Sequence, residues 1–572
     1  MSIIIIILLF ISTHINVQKL LAAEKPPYGN YPIPAVFVIQ QTRFNPNNID
    51  TWIQNSGISD QNIQEINAPG FQWPAGSGHF AVFTIGLTTG AYVNSSLRMA
   101  SASYQGEYEP GYISHSSGYP VAQTDSTFRF YKVSRGDNMN NSYDWLVWGR
   151  MVPYGAPFID VNHNGIYEPA VDTPGIRGAV QTLFICLTDG FSDTHSTVEG
   201  FGGGTSPLYA ELHMTVWGYD NPGYQDMIFK KFVLVNKNDT AWNGTYTAIV
   251  GDLDLGYAND DYIGCDTVRS LGFCYNGDND DAGNSYAYGI NPPAVGIKWM
   301  TCNDARNMGL TSFTFFTNPS TFGPICERDP NGELVPAYYM LKGLKKDQSS
   351  WVVPILPIDS SKISKFCYSG DPESGVGWNE GQPGNPSGSI QNCGGLQGVH
   401  VSVNPVGDRR IIMSSGSETN TIFPNDTVRI LIAELIARGT SNLNSVTKLK
   451  QLSDVAQRLC DSNFVIGIHN ESSSIPNSYV LYQNYPNPFN PATKIKFQAP
   501  LSPPEGGMQI VSLKIYDILG KEVSTIFSSP WGRIGGATYS VDWDGTNYPS
   551  GVYFYKLVTD GYSETKKMVL LK

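Results

Sequence analysis

Charge is scarce in this chain. Asp, Glu, Lys and Arg make up 15% of its 572 residues, where a globular protein usually carries ~25%. Aromatic residues stand at 12%. Low charge with abundant aromatics excludes a disordered chain, which needs the reverse. Long apolar runs are also missing. The longest, Ile3 to Ile11, falls well short of the ~20 residues a membrane-spanning helix needs. The eight cysteines contain no Cys-x-x-Cys pair, which argues against a zinc ribbon or a thioredoxin-type site. There is no His-Glu-x-x-His, no Gly-x-Ser-x-Gly elbow and no phosphate-binding loop, so the common motif-borne chemistries lack their signatures.

What is present is turn-rich. There are 58 Gly and 37 Pro, and Tyr is plentiful at 32. Short alternating runs are punctuated by Gly, Asn, Asp and Pro, the pattern of an all-β chain. Leu208, Ala210, Leu212, Met214 and Val216 alternate with Tyr209, Glu211, His213, Thr215 and Trp217, which predicts a strand with one face inward. Val428, Ile430 and Ile432 alternate with Arg429, Leu431 and Ala433, which predicts a central strand covered on both faces. Only one helix is expected, a short one near 445–461, from Val446, Leu449, Leu452, Val455, Ala456 and Leu459 at helical spacing.

Length alone calls for more than one domain. Ile3 to Ile11 followed by Leu21-Ala22-Ala23 reads as a signal peptide over 1–23, although no Lys or Arg precedes the apolar run. The polar stretch 470–476 reads as a linker. The expected layout is multi-domain β-sandwiches: a β-rich domain over 24–220, a second over 221–469, and a small C-terminal domain over 477–572. Residues 24–476 hold 27 basic and 43 acidic residues, a charge of −16, while 477–572 hold nine and seven. So acidic a body repels nucleic acid and suits divalent cations. An even cysteine count in an exported chain favours disulfides. The spacing leaves the pairing open; Cys265 with Cys274 would close a short loop, and Cys186 is either paired or a buried thiol.

Two acidic stretches are candidate cation sites. Asp160-Val161-Asn162-His163-Asn164-Gly165 has side-chain oxygens at positions 1, 3 and 5 and Gly at 6, as in the first half of an EF-hand loop. The second half departs: Val171 stands where a bidentate Glu belongs, and Asp172 follows. Asp160, Asn162, Asn164, Glu168 and Asp172 are the candidate Ca2+ ligands, in a β rather than a helical setting. Asp252, Asp254, Asp260 and Asp261 form a second candidate metal cluster. No catalytic set stands out among the eight scattered histidines.

The C-terminal 477–572 reads as a small antiparallel sandwich of about seven strands, immunoglobulin-like in pattern. Its motifs carry a family resemblance. Tyr485-Pro486-Asn487-Pro488-Phe489-Asn490-Pro491 opens it. Ile515-Tyr516-Asp517 with Gly520 and Val523, a Trp543-Asp544-Gly545 turn, the run Ser550-Gly551-Val552-Tyr553-Phe554-Tyr555 and a Lys566, Lys567, Lys572 terminus follow in order. This arrangement resembles the C-terminal sorting domain of the type IX (Por) secretion system of Bacteroidetes-type bacteria. The resemblance implies export to the cell surface or medium, with the type IX translocon and its sortase as partners and lipopolysaccharide as an attachment point. The body resembles β-rich surface proteins that carry this domain, through Gly264-Cys265-Asp266 and Gly407-Asp408-Arg409-Arg410; no activity comes with that likeness. The expected body is a non-enzymatic structural, adhesive or glycan-contacting protein with an extracellular glycan or protein ligand. The alternative is a secreted hydrolase acting on polysaccharide or protein.

Overall fold

The computed structural model describes residues 39–64, 68–121, 126–196, 200–302, 308–318, 324–353, 362–381, 393, 405–464, 480–484, 486–499, 511–529, 537–559 and 562–572. The expected leader 1–23, the expected linker 470–476 and Tyr485 lie outside the described residues. The chain divides into two compact units, Met1–Ile466 and Gly467–Lys572.

In the first unit, period-two patterning builds two large antiparallel sheets. One has eight strands and runs Gln41–Phe44, Thr51–Gln54, Ile58–Ser59, Thr84–Val93, Asn243–Asp252, Arg409–Gly416, Ser312–Thr317, with Ser96–Ala100 also paired to Thr84–Val93. The other has nine and runs Glu109–Pro110, Gln181–Thr188, Ala210–Gly218, Met227–Asn236, Thr427–Ala437, Ala294–Trp299, Leu271–Asn276, Asp261–Asp266, with Tyr131–Ser134 also on Gln181–Thr188. Side chains of one parity from both sheets meet in a single core. Ala210, Leu212, Met214, Val216, Ile430 and Ile432 enter it from the second sheet, and Ile85, Leu87, Ile249, Ile411 and Met413 from the first. Leu431 and Ala433, of the other parity, are buried in a separate cluster on the opposite face, so Thr427–Ala437 is covered on both sides as its sequence predicts.

The expected boundary near 220 is corrected by this topology. Ala210–Gly218 and Met227–Asn236 pair residue by residue from Ala210 with Asn236 to Gly218 with Ile228. Asp220-Asn221-Pro222-Gly223 is the hairpin connection between them. A cut there would split one ladder and the core beneath it.

Helices lie on the outer faces. Asn442–Asp461 is longer than the expected short helix, and Ser441 caps its first turn by accepting from the Asn444 N–H. Val446, Leu449, Ala456 and Leu459 pack on Phe273, Tyr275, Ala433 and Leu435. The single-helix expectation is corrected by two more helices among the described residues, Tyr143–Val147 and Leu334–Leu341. The latter buries Ala337, Tyr338, Met340 and Leu341 against Tyr246, Ala248, Val250 and Ile412 on the outside of the first sheet. The class is nonetheless all-β, at 41% strand against 10% helix.

Two disulfides fasten this unit. Cys302–Cys460 joins the segment after Ala294–Trp299 to the end of the long helix, and Cys326–Cys393 closes a second loop. Cys186, Cys265, Cys274 and Cys367 are buried thiols, so the Cys265 with Cys274 pairing is corrected. Cys265 stands opposite Gly272 in its hairpin and Cys274 opposite Ile263; Cys265 donates instead to the Cys367 carbonyl at 3.2 Å.

Among the described residues the second unit is a three-on-four arrangement of seven antiparallel strands. Val480–Leu481, Ala492–Ala499 and Ala537–Asp544 form one sheet; Glu522–Ser529, Val511–Tyr516, Gly551–Val558 and Ser563–Leu570 form the other. Leu481, Ile495, Phe497, Leu513, Ile515, Trp543, Tyr555, Leu557, Met568 and Leu570 fill the space between.

Candidate functional site

In the C-terminal unit the sorting motifs converge on one end of the sandwich. Pro486, Asn487 and Pro488 lie along the free edge of Ser563–Leu570. The Asn487 side-chain oxygen accepts from the Val569 N–H at 2.9 Å. Phe489 then donates to the Val569 carbonyl at 3.0 Å and accepts from the Leu571 N–H at 3.0 Å, a parallel bridge onto the terminal strand. Pro486 contributes its carbonyl, which accepts from Thr493 at 2.7 Å and from the Asn484 amide at 3.1 Å. The Phe489 ring is buried against Trp543, with ring centroids 5.5 Å apart. The motif is therefore a clasp that closes the sheet edge.

The other motif residues serve turns and ends. Gly520, at φ +79°, completes the turn Asp517 to Lys521, a conformation side chains resist. That turn holds Ile518 and Leu519 in solvent, 70% and 90% exposed. Beside it is a shallow cavity of about 330 Å³ lined by Tyr516, Ile518, Phe554 and Lys556. Gly551 begins the strand in which the Tyr553 hydroxyl donates back to the Pro549 carbonyl at 2.8 Å. Lys566 pairs with Glu564 at 3.2 Å, Lys567 is exposed, and Lys572 donates to the Thr546 carbonyl at 2.5 Å. Asn484, which stands directly before the Pro-rich entry and belongs to none of these motifs, is a further structural partner: its N–H donates to the Tyr555 hydroxyl at 2.8 Å and its amide to Thr493 at 3.0 Å.

In the body, the loop 160–172 is closed by a two-residue ladder between Phe158–Ile159 and Thr173–Pro174, which is the β setting expected for it. Both Asp160 oxygens accept loop N–H groups, from Asn164 at 3.2 Å and Gly165 at 2.8 Å. The amides of Asn162 and Asn164 both reach Glu168, at 2.6 and 2.8 Å. Gly165 is at φ +76°. Asp172 is buried and turned toward the loop base, where it accepts from the N–H groups of Val161 and Glu168. Thus Asp160, Asn162, Asn164 and Glu168 share the exposed end, and Asp172 fastens the closure.

The second predicted cluster is divided. Asp252 and Asp254 come together with Asp408, more than 150 residues away in sequence. Asp260 and Asp261 belong instead with Asp281. Burial pushes Asp260 up to about 6, with Asp281 adding to it. Burial also drives Asp261 well above the usual carboxylate range, helped by Asp260 and Asp281.

Other charges are drawn into the interior as fixed pairs. Arg409 donates to Glu380 at 2.8 Å, with both side chains buried. Lys345 pairs with Glu327 inside the same unit. Glu107 accepts from the N–H groups of Ser101, Ser196 and Gly204, each at 3.0 Å. Asp189 accepts from Leu208 and Ala210 at 2.6 Å, yet burial still pushes it up to about 7. His195 lies between these two carboxylates, its Nε2 2.8 Å from the Asp189 carbonyl.

Comparison with known proteins addresses the tail. Residues 483–571 match the family described as the secretion system C-terminal sorting domain. No curated protein sequence matches the chain. Among solved structures, a polysaccharide lyase aligns with a TM-score of 0.18 at 7% identity, covering 63% of this chain and 34% of its own. The dimeric latent PorU of Porphyromonas gingivalis aligns at 0.14 and 11% identity, covering 68% and 31%. The chain thus spans about a third of the length of each. The match to residues 483–571 coincides with the unit whose clasp, turns and terminal lysines are described above: this tail is a type IX secretion system C-terminal sorting domain, and the chain that carries it is a secreted or cell-surface protein.

Proposed function

We propose that residues 24–466 are a non-enzymatic, surface-displayed binding or envelope component, delivered by the tail and stabilised by calcium in the loop 160–172. The carrying observation is how the body spends its charge. Lys230 with Asp60, Arg409 with Glu380 and Lys345 with Glu327 are all sequestered inside. Paired and buried in this way, these groups fasten elements together and are not free to exchange protons with a substrate. Loops at the sheet ends are left to meet an extracellular glycan or protein. Asp160, Asn162, Asn164 and Glu168 supply the oxygen donors that calcium prefers.

The tail acts as the address. The exposed pair Ile518 and Leu519 beside the shallow cavity supports a contact with the translocon, since exposed apolar tips favour protein partners. The strand order and the Tyr553 hydroxyl bond to Pro549 support an immunoglobulin-like sandwich with a tyrosine corner. A leader at 1–23 would take the chain to the periplasm first, and sortase attachment to lipopolysaccharide would retain it outside.

Two experiments test this reading. A chain ending at 476 should accumulate in the periplasm; surface display at the normal level refutes the address. The purified protein screened against glycan arrays and surface-protein libraries should retain a ligand without altering it. Cleavage or other turnover of a bound glycan or protein would replace the binding role with the hydrolase.

A further inference from the structure

Asp252 ends the strand Asn243–Asp252, and its cross-strand neighbour is Arg410 on Arg409–Gly416. Asp254 lies two residues beyond Asp252, and Asp408 two before Arg410. The register therefore brings three carboxylates to one spot from segments far apart in sequence. One oxygen of each lies within 4.8 Å of one from each of the others.

Arg410 occupies only part of their capacity. It reaches Oδ2 of Asp252 at 3.1 Å and Oδ2 of Asp408 at 2.8 Å, and it donates to the Tyr104 hydroxyl at 2.8 Å. Oδ1 of Asp252 and Oδ1 of Asp408 are both buried with no hydrogen-bond donor. Asp252 as a whole is 2% exposed. An unpartnered buried carboxylate oxygen is costly, and here two occur side by side. Asp254 keeps partial exposure, which gives an ion a way in.

We propose that Asp252, Asp254 and Asp408 bind a divalent cation, calcium in the first instance, with Arg410 fixing the orientation of two of the three. Two oxygens on opposite sides of one calcium are ~5 Å apart, twice the 2.3–2.6 Å bond, so the observed separation suits a shared ion. The cation satisfies the two orphaned oxygens. It joins the end of one central strand to the start of the next on the outer face of the first sheet. This site is separate from the loop 160–172 and does not depend on it.

The test uses the full chain, stripped with chelator and titrated with calcium chloride by calorimetry. The variant Asp160→Ala with Asn162→Ala disables the exposed loop. That protein should still bind one equivalent of calcium, and its melting temperature should rise on calcium addition. Adding Asp254→Asn, at a partly exposed position, should abolish both the binding and the shift while the circular dichroism stays that of the parent. If the loop-disabled protein binds no calcium, the proposal falls. It falls equally if Asp254→Asn leaves the bound calcium unchanged. Loss of the loop's own equivalent bears only on the loop.

Discussion

Lys230, rooted in the nine-stranded sheet, donates an ammonium proton at 2.7 Å to Asp60, which directly follows the strand Ile58–Ser59 of the eight-stranded sheet, with neither side chain exposed. Ser59 accepts a second proton at 2.6 Å, and Glu434, beside Lys230 on its own sheet, shares the ammonium. Asp60 stands at φ +71°, a conformation Asp tolerates better than most residues. One cation thus bolts two sheets across an apolar core. Replacing it by Lys230→Met leaves Asp60 buried without a counter-charge and should lower stability by ~3–5 kcal/mol. Urea denaturation checks this; a midpoint like that of the parent would contradict it.

The same group sets a pH dependence. Burial, with the nearby Asp60 charge, pushes Glu434 up to about 8, and burial pushes Asp189 up to about 7. Both carboxyls therefore keep their protons in the folded protein at pH values where the unfolded chain has lost them. Stability falls with pH wherever the folded state binds more protons. It should decline from about pH 4, where unfolded carboxyls begin to ionise, until each group passes its folded value. Glu434→Gln, which never ionises, should flatten the upper part of that decline. Melting temperatures measured from pH 5 to 8 on both proteins check the sign; an unchanged slope refutes the role of Glu434.

Thiol counting follows from the cysteine arrangement. The native protein should be inert to a thiol reagent, since Cys186, Cys265, Cys274 and Cys367 are all buried. Denatured without reductant it should show those four. Reductant should expose the remaining pairs, Cys302–Cys460 and Cys326–Cys393. Cys460→Ser should reduce stability by ~2–5 kcal/mol, because the Cys302–Cys460 link closes a long loop.

In the tail, folding and recognition separate by position. Phe489→Ala removes a buried ring beneath the clasp and should cost ~3–5 kcal/mol. Tyr553→Phe loses one hydrogen bond, ~0.5–1.5 kcal/mol. Both effects are read from thermal melts of the full protein. Leu519→Asp changes a side chain that is 90% exposed, so the melt should not move, whereas surface export should drop. Normal export of that variant removes Ile518 and Leu519 from the translocon contact.

Strand identity and the long helix were legible because they depend on local periodicity. Ala210–Gly218 alternates cleanly, and Val446 to Leu459 repeats at helical spacing. Leu334–Leu341 was hidden because it is short, holds Pro336 in its first turn and carries apolar residues on several faces, so neither period stands out. The join across 220 was hidden for another reason: sheet neighbours such as Thr84–Val93 and Asn243–Asp252 are far apart in sequence. The candidate sites divide the same way. The loop 160–172 lies within one stretch of chain and could be read there. Asp408 joins Asp252 and Asp254 only through strand register, which no local pattern records. The sorting tail was the most legible part because its motifs mark turns and edges of a small fold.

The bridge from Phe489 to Val569 and Leu571 has a temporal consequence. Translation delivers the entry segment roughly 80 residues before its partner strand, and among the described residues nothing earlier in the tail supplies that edge. The entry segment must wait, unclasped, until Ser563–Leu570 emerges. A prematurely terminated chain, lacking residues 563–571, would bear the opening motif but no finished domain. The fold thereby ties closure of the opening motif to the synthesis of Ser563–Leu570.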